Sequence, residues 1–379
     1  MRFGLAKLAA KPVSGGAGNF YSVDFLRGLA ALAILIFHLK NFVAGGGDLS
    51  RDIRLLDRVP VITALQVIRE NGPLAVMLFW TISGFVFMNV YADTRPTARQ
   101  FWVKRLARLY PLHLLTLLLI AVIQFVALRC LGHWLIYPEN DVAHFVSHLF
   151  FASAWLPGAP HSFNGPVWSV SVEVLIYGAF FLFARLAKPN LISVLAGMLI
   201  FMILMELLPS SQIPVCGTYF FGGMTAYVIF RLWPPNMRVA LIALGLLGLA
   251  ACWITSLVLG GHIPLTLRLM PASACLLLIA ASSEATVLGV AYRRVRFIGD
   301  ITYSTYMWHA PIQMLFLLGA GLQLWSVDVA FSDTFVIAYL ALVCSFAWLS
   351  FRFIERPAQR WVRGWAGENS RDKPLISAP

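Results

Sequence analysis

The run Y-S-V-D-F-L-R-G-L-A-A-L-A-I-L-I-F-H, residues 21–38, sets Asp24, Arg27 and His38 into an otherwise apolar stretch. An ionisable side chain at the centre of a membrane helix costs about 2.5–3.5 kcal/mol on insertion scales, so those that are kept are candidates for function. Asp24 and Arg27 are three apart, within ion-pair reach on a helix. Arg27 and His38 are eleven apart, three helical turns plus about 20°, so they share a face and stand about 16 Å apart along it. Gly28 and Ala31 continue that face. An imidazole exchanges protons near neutral pH, which makes His38 a candidate for proton transfer. The plainer reading is a snorkelling Arg with a packing His.

Three further segments carry polar groups. P-V-W-S-V-S-V-E-V-L-I-Y, residues 166–177, places Ser169 and Glu173 four apart on one helix face. Glu173 is expected about two turns below the outer surface, at about the depth of His38, where its carboxylate would orient or charge-balance the imidazole. A helix-packing polar pair is the alternative. F-W-V-K-R-L-A-R-L-Y-P, residues 101–111, puts Arg105 and Arg108 on one face beside Lys104. Arg forks bind phosphate bidentately, although basic residues at a helix end also serve as topology signals. G-D-I-T-Y-S-T-Y-M-W-H-A-P, residues 299–311, gives a stretch of Tyr303, Ser304, Tyr306 and His309 that lines a cavity or bonds neighbouring helices. His144 and His148 have i, i+4 spacing but no evident third ligand, so no metal site is expected.

The elements that hold these residues must be membrane helices. Of 379 residues 59% are hydrophobic and only 12% charged, and the mean hydropathy is +0.77. A soluble domain carries about 45–50% apolar and about 25% charged residues. Backbone in lipid must satisfy its own hydrogen bonds, and apolar runs near 20 residues select helices over a barrel. The expected fold is all-α, a polytopic bundle of about ten spans: 21–43, 72–92, 109–131, 166–185, 190–208, 215–232, 238–259, 264–283, 298–320 and 332–352. Segment 143–156 is apolar but short, and is expected to be re-entrant or interfacial. Loop 44–71 is expected to hold an interfacial helix on the spacing of Ile53, Leu56 and Val59.

The net charge of +12 is explained by topology rather than nucleic acid. With the N-terminus in the cytoplasm, 22 of the 29 basic residues fall on the cytoplasmic side, and none lies between Arg129 and Arg185. Both termini are therefore expected in the cytoplasm, with residues 132–165 outside. Three regions result: a tail over 1–20, a membrane domain over 21–356 and a basic tail over 357–379. The small residues near the N-terminus precede the apolar run, so the first span is expected to be retained rather than cleaved. Cys130, Cys216, Cys252, Cys275 and Cys344 fit neither a metal nor a disulfide spacing and read as packing residues.

Taken together, the motifs resemble acyltransferase family 3, transmembrane O-acyltransferases of bacterial surface glycans, exopolysaccharides and nodulation factors. The resemblance lies in D-x-x-R-G-x-A with a later His (Asp24, Arg27, Gly28, Ala30, His38), in Phe79, Ser83, Gly84 and Phe85, and in Arg105, Arg108 and Pro111. It continues through Trp168, Ser169, Ser171, Glu173 and Tyr177, the stretch from Tyr303 to His309, and Glu355, Arg356 and Pro357. Val174 and Thr302 depart from the family pattern without touching a residue assigned chemistry. The resemblance implies acetyl-CoA or another acyl-CoA as donor from the cytoplasm, and no metal. Arg105 and Arg108 would hold CoA phosphates, while Arg27 would guide the pantetheine arm or secure Asp24. His38 would act as general base on the acceptor hydroxyl or briefly carry the acyl group, with Glu173 as its partner. Ser83, Trp168, Ser169, Ser171, Tyr303, Tyr306 and His309 would line or support the site. The acceptor would be a lipid-linked or exported saccharide, with membrane lipid and polysaccharide-assembly proteins as partners in a bacterial inner membrane. Some members append a hydrolase-like domain; none is legible here, so transfer would finish in the membrane domain or on a partner. The rival is a glycan or lipid transporter, against which no inverted repeat of broken helices is evident.

Overall fold

A computed structural model describes residues 19–259 and 265–365. The expected tails before residue 19 and after 365, and the connection at 260–264, lie outside the described residues. Within those residues the chain is helix and turn, with one isolated bridge between Ala44 and Ser50 and no strand.

Each expected span is occupied by a helix. These are α1 (Tyr21–Phe37), α2 (Gly72–Tyr91), α3 (Ala98–Leu131), α5 (Trp168–Leu186), α6 (Leu191–Leu207), α7 (Gln212–Leu232), α8 (Arg238–Leu259), α9 (Leu265–Ser283), α11 (Thr302–Gly321) and α12 (Asp333–Ser350). Between them lie α4 (Val142–Leu149) and α10 (Leu288–Arg294), and α13 (Arg356–Trp365) follows α12. Seven described helices are long and apolar enough to cross a membrane on their own, and an eighth results if α9 and α10, bent by 96°, form one span. Helix α6 is apolar but 17 residues long, and α11 carries too many polar side chains to count by hydropathy. The protein is a polytopic helical membrane protein.

The local signals explain the ends. Thr97 and Gln100 form a capping box that starts α3, and Asn190 with Ser193 does the same for α6. Gly132, at φ 79°, stops α3 in the left-handed conformation that glycine adopts without strain. The expected third span began at 109, whereas α3 starts at Ala98 and is 34 residues long, about 51 Å. It therefore overruns a hydrocarbon core of about 30 Å at its basic end.

Helix α2 packs against α7, α1, α9 and α5, while α11 packs against α3, α12 and α1. Helix α1 thus stands between the two groups and can address both. The α2–α7 crossing is the closest. A Cβ on Gly84 would sit 1.8 Å from the Phe220 carbonyl oxygen, and one on Gly223 would sit 1.8 Å from that of Thr81. Lipid gives little hydrophobic drive for helix association, so small residues that let backbones meet carry the packing.

The 44–71 loop is broken into turns, with short helices at Pro60–Ala64 and Gln66–Glu70 rather than one interfacial helix. Leu56 and Val59 are buried while Ile53 is exposed. Helix α4 has eight residues, too short to cross. Segment 132–167 folds back over the bundle. The Gln124 amide bonds both backbone groups of Leu135 at 2.9 Å, Phe163 N donates to Asn140 Oδ1, and His113 Nε2 donates to the His148 carbonyl at 2.8 Å. Ile136, Phe151 and Phe163 have positive φ, strain that these bonds offset.

Candidate active site

Two cavities meet inside the bundle. The first is small, about 100 Å³, and its walls include Arg27 from α1, Ser83 from α2, Arg105 and Arg108 from α3, Glu173 from α5 and Tyr303 from α11. Three guanidinium groups face one carboxylate there, so the pocket suits an anion. Arg27 Nη1 is 3.0 Å from Asp24 Oδ1, which fixes the α1 arginine from behind. Arg105 lies 4.1 Å over the Phe87 ring, with Tyr91 and Tyr177 also against it, and donates to the Tyr91 hydroxyl at 3.2 Å. Aromatic faces hold a cation without neutralising it, so Arg105 keeps donors for a ligand. Glu173 accepts from the Tyr177 hydroxyl at 2.7 Å and from Ser83.

The second cavity, about 740 Å³, lies at the other end of α1. His38 lines it with Lys40 and Asn41, Tyr137 and His161 from the folded-back segment, and Trp168 at the start of α5. Ile34, Val76, Trp80 and Tyr306 line both cavities and form the wall between them. Tyr306 is anchored: its hydroxyl donates to the Pro166 carbonyl and bonds Ser169 at 2.7 Å.

Arg27, Arg105, Arg108, Ser83, Ser169, Tyr303 and Tyr306 all line the first cavity. His38 and Glu173 line different cavities. His38 lies just beyond the last residue of α1, as the first residue of a 3-10 turn over His38–Phe42. Ser171 is structural: its Oγ accepts Ala154 N at 3.1 Å and its carbonyl accepts Trp155 Nε1, pinning the folded-back segment. His309 is fully buried and lines neither cavity; its ring centroid is 4.9 Å from that of His38.

Several site groups were missed in the sequence. Asn41 and Gln313, both buried, bond each other and His38. Asn41 is three residues past His38 and Gln313 four past His309, a spacing that could have flagged them. His161 sits in a loop and offers no such signal. Glu355, quoted in the sequence only as part of the terminal motif and lining neither cavity, is buried at the end of a π-helical turn, Phe351–Glu355, and accepts the Ser304 hydroxyl. Single π-turns often mark functional sites. The second histidine pair diverges: His144 bonds Asp141, and His148 bonds Ser162. Glu139, Asp141 and His144 bring ligand atoms within 4.8 Å on the surface, and line neither cavity.

The comparisons agree with this architecture. The family described as "Acyltransferase domain" matches residues 20–353. An acyltransferase of Streptomyces mycarofaciens, MdmB, is 30% identical over 59% of this chain and 55% of its own. The peptidoglycan O-acetyltransferase OatA of Listeria monocytogenes is 24% identical over 93% of this chain and 59% of its own, and a putative counterpart in Bacillus subtilis, YrhL, is 22% identical over 88% and 54%. The chain thus spans little more than half the length of these relatives. No solved structure matches significantly. With its family match running from the start of α1 into the π-helical turn, this chain belongs to the membrane-embedded acyltransferases of acyltransferase family 3.

Proposed function

We propose that the protein is an O-acyltransferase that takes an acyl group, first of all acetyl, from an acyl-CoA at the arginine pocket and delivers it to a saccharide hydroxyl in the His38 cavity. The observation that carries this is the shared wall of Ile34, Val76, Trp80 and Tyr306, which separates an anion-binding pocket from an open, aromatic-lined cavity. Arg27, Arg105 and Arg108 match the multiple phosphates of CoA. The arginines grip the CoA diphosphate in the small pocket, the adenosine stays outside it, and the pantetheine arm runs inward toward the shared wall. The large cavity offers Trp80, Trp168 and Phe37 as apolar platforms and Lys40, His161 and Glu206 as polar groups, a mixture that suits a sugar ring. Two relatives named for peptidoglycan O-acetyl transfer support a saccharide as acceptor.

His38 is the catalytic imidazole, on the acceptor side of the wall. Glu173 serves the donor side, where it balances the arginines, rather than orienting His38. The arginine end faces the cytoplasm and the His38 cavity faces outward, in a bacterial inner membrane, with polysaccharide-assembly proteins as partners. Purified protein given acetyl-CoA should release CoA thiol when a peptidoglycan-derived disaccharide is present, and mass spectrometry should find the acetylated sugar. Absence of both products from folded protein that binds the disaccharide would refute the reading.

A further inference from the structure

The bonds around His38 determine which of its nitrogens carries the proton. Gln313 Nε2 lies 2.8 Å from the His38 carbonyl oxygen. A carbonyl only accepts, so the nitrogen end of the Gln313 amide must face it, and Oε1 must face the other way. That Oε1 is 2.9 Å from Asn41 Nδ2, which fixes the Asn41 amide in turn. The same Asn41 Nδ2 is 3.3 Å from His38 Nδ1. An amide nitrogen donates and does not accept, so Nδ1 holds the lone pair and the neutral ring carries its proton on Nε2. Among the described residues Nε2 has no protein partner, and His38 lines the cavity. His38 therefore presents an N–H to whatever occupies the cavity, and cannot accept a proton at that nitrogen.

Another group must then take the hydroxyl proton. His309 is sealed: its Nδ1 donates to the Tyr306 carbonyl at 2.6 Å, and its Nε2 is buried without a partner. Lys40 sits 3.6 Å over the Phe37 ring as a cation, which has no lone pair to accept a proton, and a carboxylate is as a class a weaker base than an imidazole. His161 lines the same cavity, is exposed there, and has no hydrogen bond to its ring among the described residues.

We propose that Asn41 and Gln313 are positioning residues that hold His38 as the Nε2–H tautomer, that His38 donates this hydrogen bond to the acyl carbonyl oxygen, and that His161 is the base that takes the acceptor proton. The proposal rests on the large cavity being the acceptor site. As the hydroxyl oxygen bonds the thioester carbonyl carbon, its proton passes to a His161 ring nitrogen. The carbonyl oxygen gains negative charge against the His38 N–H, as in an oxyanion hole. The carbon–sulfur bond then breaks, the thiolate leaves with the electron pair and is protonated by water, and His161 returns its proton to solvent.

Two measurements test this. In detergent-solubilised protein labelled with 15N-histidine, with His38 assigned by its loss in His38→Gln, the ring should show a protonated Nε2 and a bare Nδ1 at neutral pH. A proton on Nδ1 overturns the tautomer and the proposal with it. In acetyl transfer from acetyl-CoA to a peptidoglycan-derived disaccharide, His161→Gln should lose at least about 10²-fold in single-turnover rate with donor binding unchanged. Asn41→Asp, which offers an acceptor to Nδ1 and so reverses the tautomer, should lose about as much. Asn41→Asp at or above the wild-type rate, or His161→Gln within about threefold of it, overturns the division of roles. If the wild type transfers nothing, the function reading fails instead, and the labelled spectrum still decides the tautomer.

Discussion

At Arg105 the guanidinium rests on Phe87, Tyr91 and Tyr177, and at Arg27 it is braced by Asp24, whereas Arg108 makes no side-chain hydrogen bond or ion pair among the described residues. Arg108 is thus the arginine most free to grip a ligand. Arg108→Ala should weaken CoA binding by calorimetry, and Arg108→Lys should restore only part, because lysine keeps the charge but loses the bidentate fork. Equal CoA affinity in the wild type and Arg108→Ala would reduce it to a topology signal. His38→Ala should insert and fold normally yet lose at least about 10²-fold in transfer, the lower end of what a positioned N–H donor contributes. Substantial transfer by the folded variant would remove His38 from the chemistry. The arginines and His38 were legible in the sequence because charge in an apolar run stands out. The partner of His38 was not. Counting residues from Pro166 put Glu173 level with it, but the count could not see α1 giving way to a 3-10 turn at His38, nor that Glu173 would meet Tyr177 and Ser83.

Helix existence was set by apolar run length, and each of the ten runs became a helix, but two kinds of feature at this scale escaped it. Contacts between helices were invisible: Gly84 had a motif but no partner until the Phe220 backbone was seen against it. Gly84→Val should therefore push α2 from α7, costing more than the about 1–3 kcal/mol of ordinary overpacking, and lower the thermal midpoint in detergent or prevent folding. An unchanged midpoint would mean that the α2–α7 crossing tolerates a side chain at this position. The folded-back segment was also illegible, since it is organised by side-chain bonds to irregular backbone rather than by period. His148 shows what it stores. Burial pushes its pKa from 6.5 down to about 3, so the unfolded segment takes up a proton that the folded one refuses. Stability is full above about pH 6.5 and falls as pH drops toward 3, by about 2 kcal/mol at pH 5. Hydrogen exchange over residues 142–163 should accelerate from pH 7 to pH 5, beyond the intrinsic pH effect, and His148→Gln should flatten that response. An identical response in the variant would assign the loosening elsewhere.

For the molecule as a whole, the proposed direction of transfer rests on how charge and cavity are arranged. The arginine pocket lies toward the end of α1 that carries Asp24 and Arg27, and α3 overruns the hydrocarbon core at the end that carries Lys104, Arg105 and Arg108. The His38 cavity opens at the opposite end, beneath the segment between Arg129 and Arg185 that has no basic residue. The proposed transfer, from a donor in the cytoplasm to a saccharide outside it, needs such a polarity, with Ile34, Val76, Trp80 and Tyr306 as the barrier between the two cavities. The positive-inside rule assigns the arginine end to the cytoplasm, because charged loops on that side resist translocation. In a variant with all five native cysteines replaced, a single cysteine at Pro160 should react with a membrane-impermeant maleimide in intact cells. A single cysteine at Thr97, which caps α3 at its basic end, should react only after the membrane is opened. The opposite pattern would place the arginine pocket outside, beyond reach of cytoplasmic acyl-CoA, and would end the proposed direction of transfer even if the bundle and both cavities are as described.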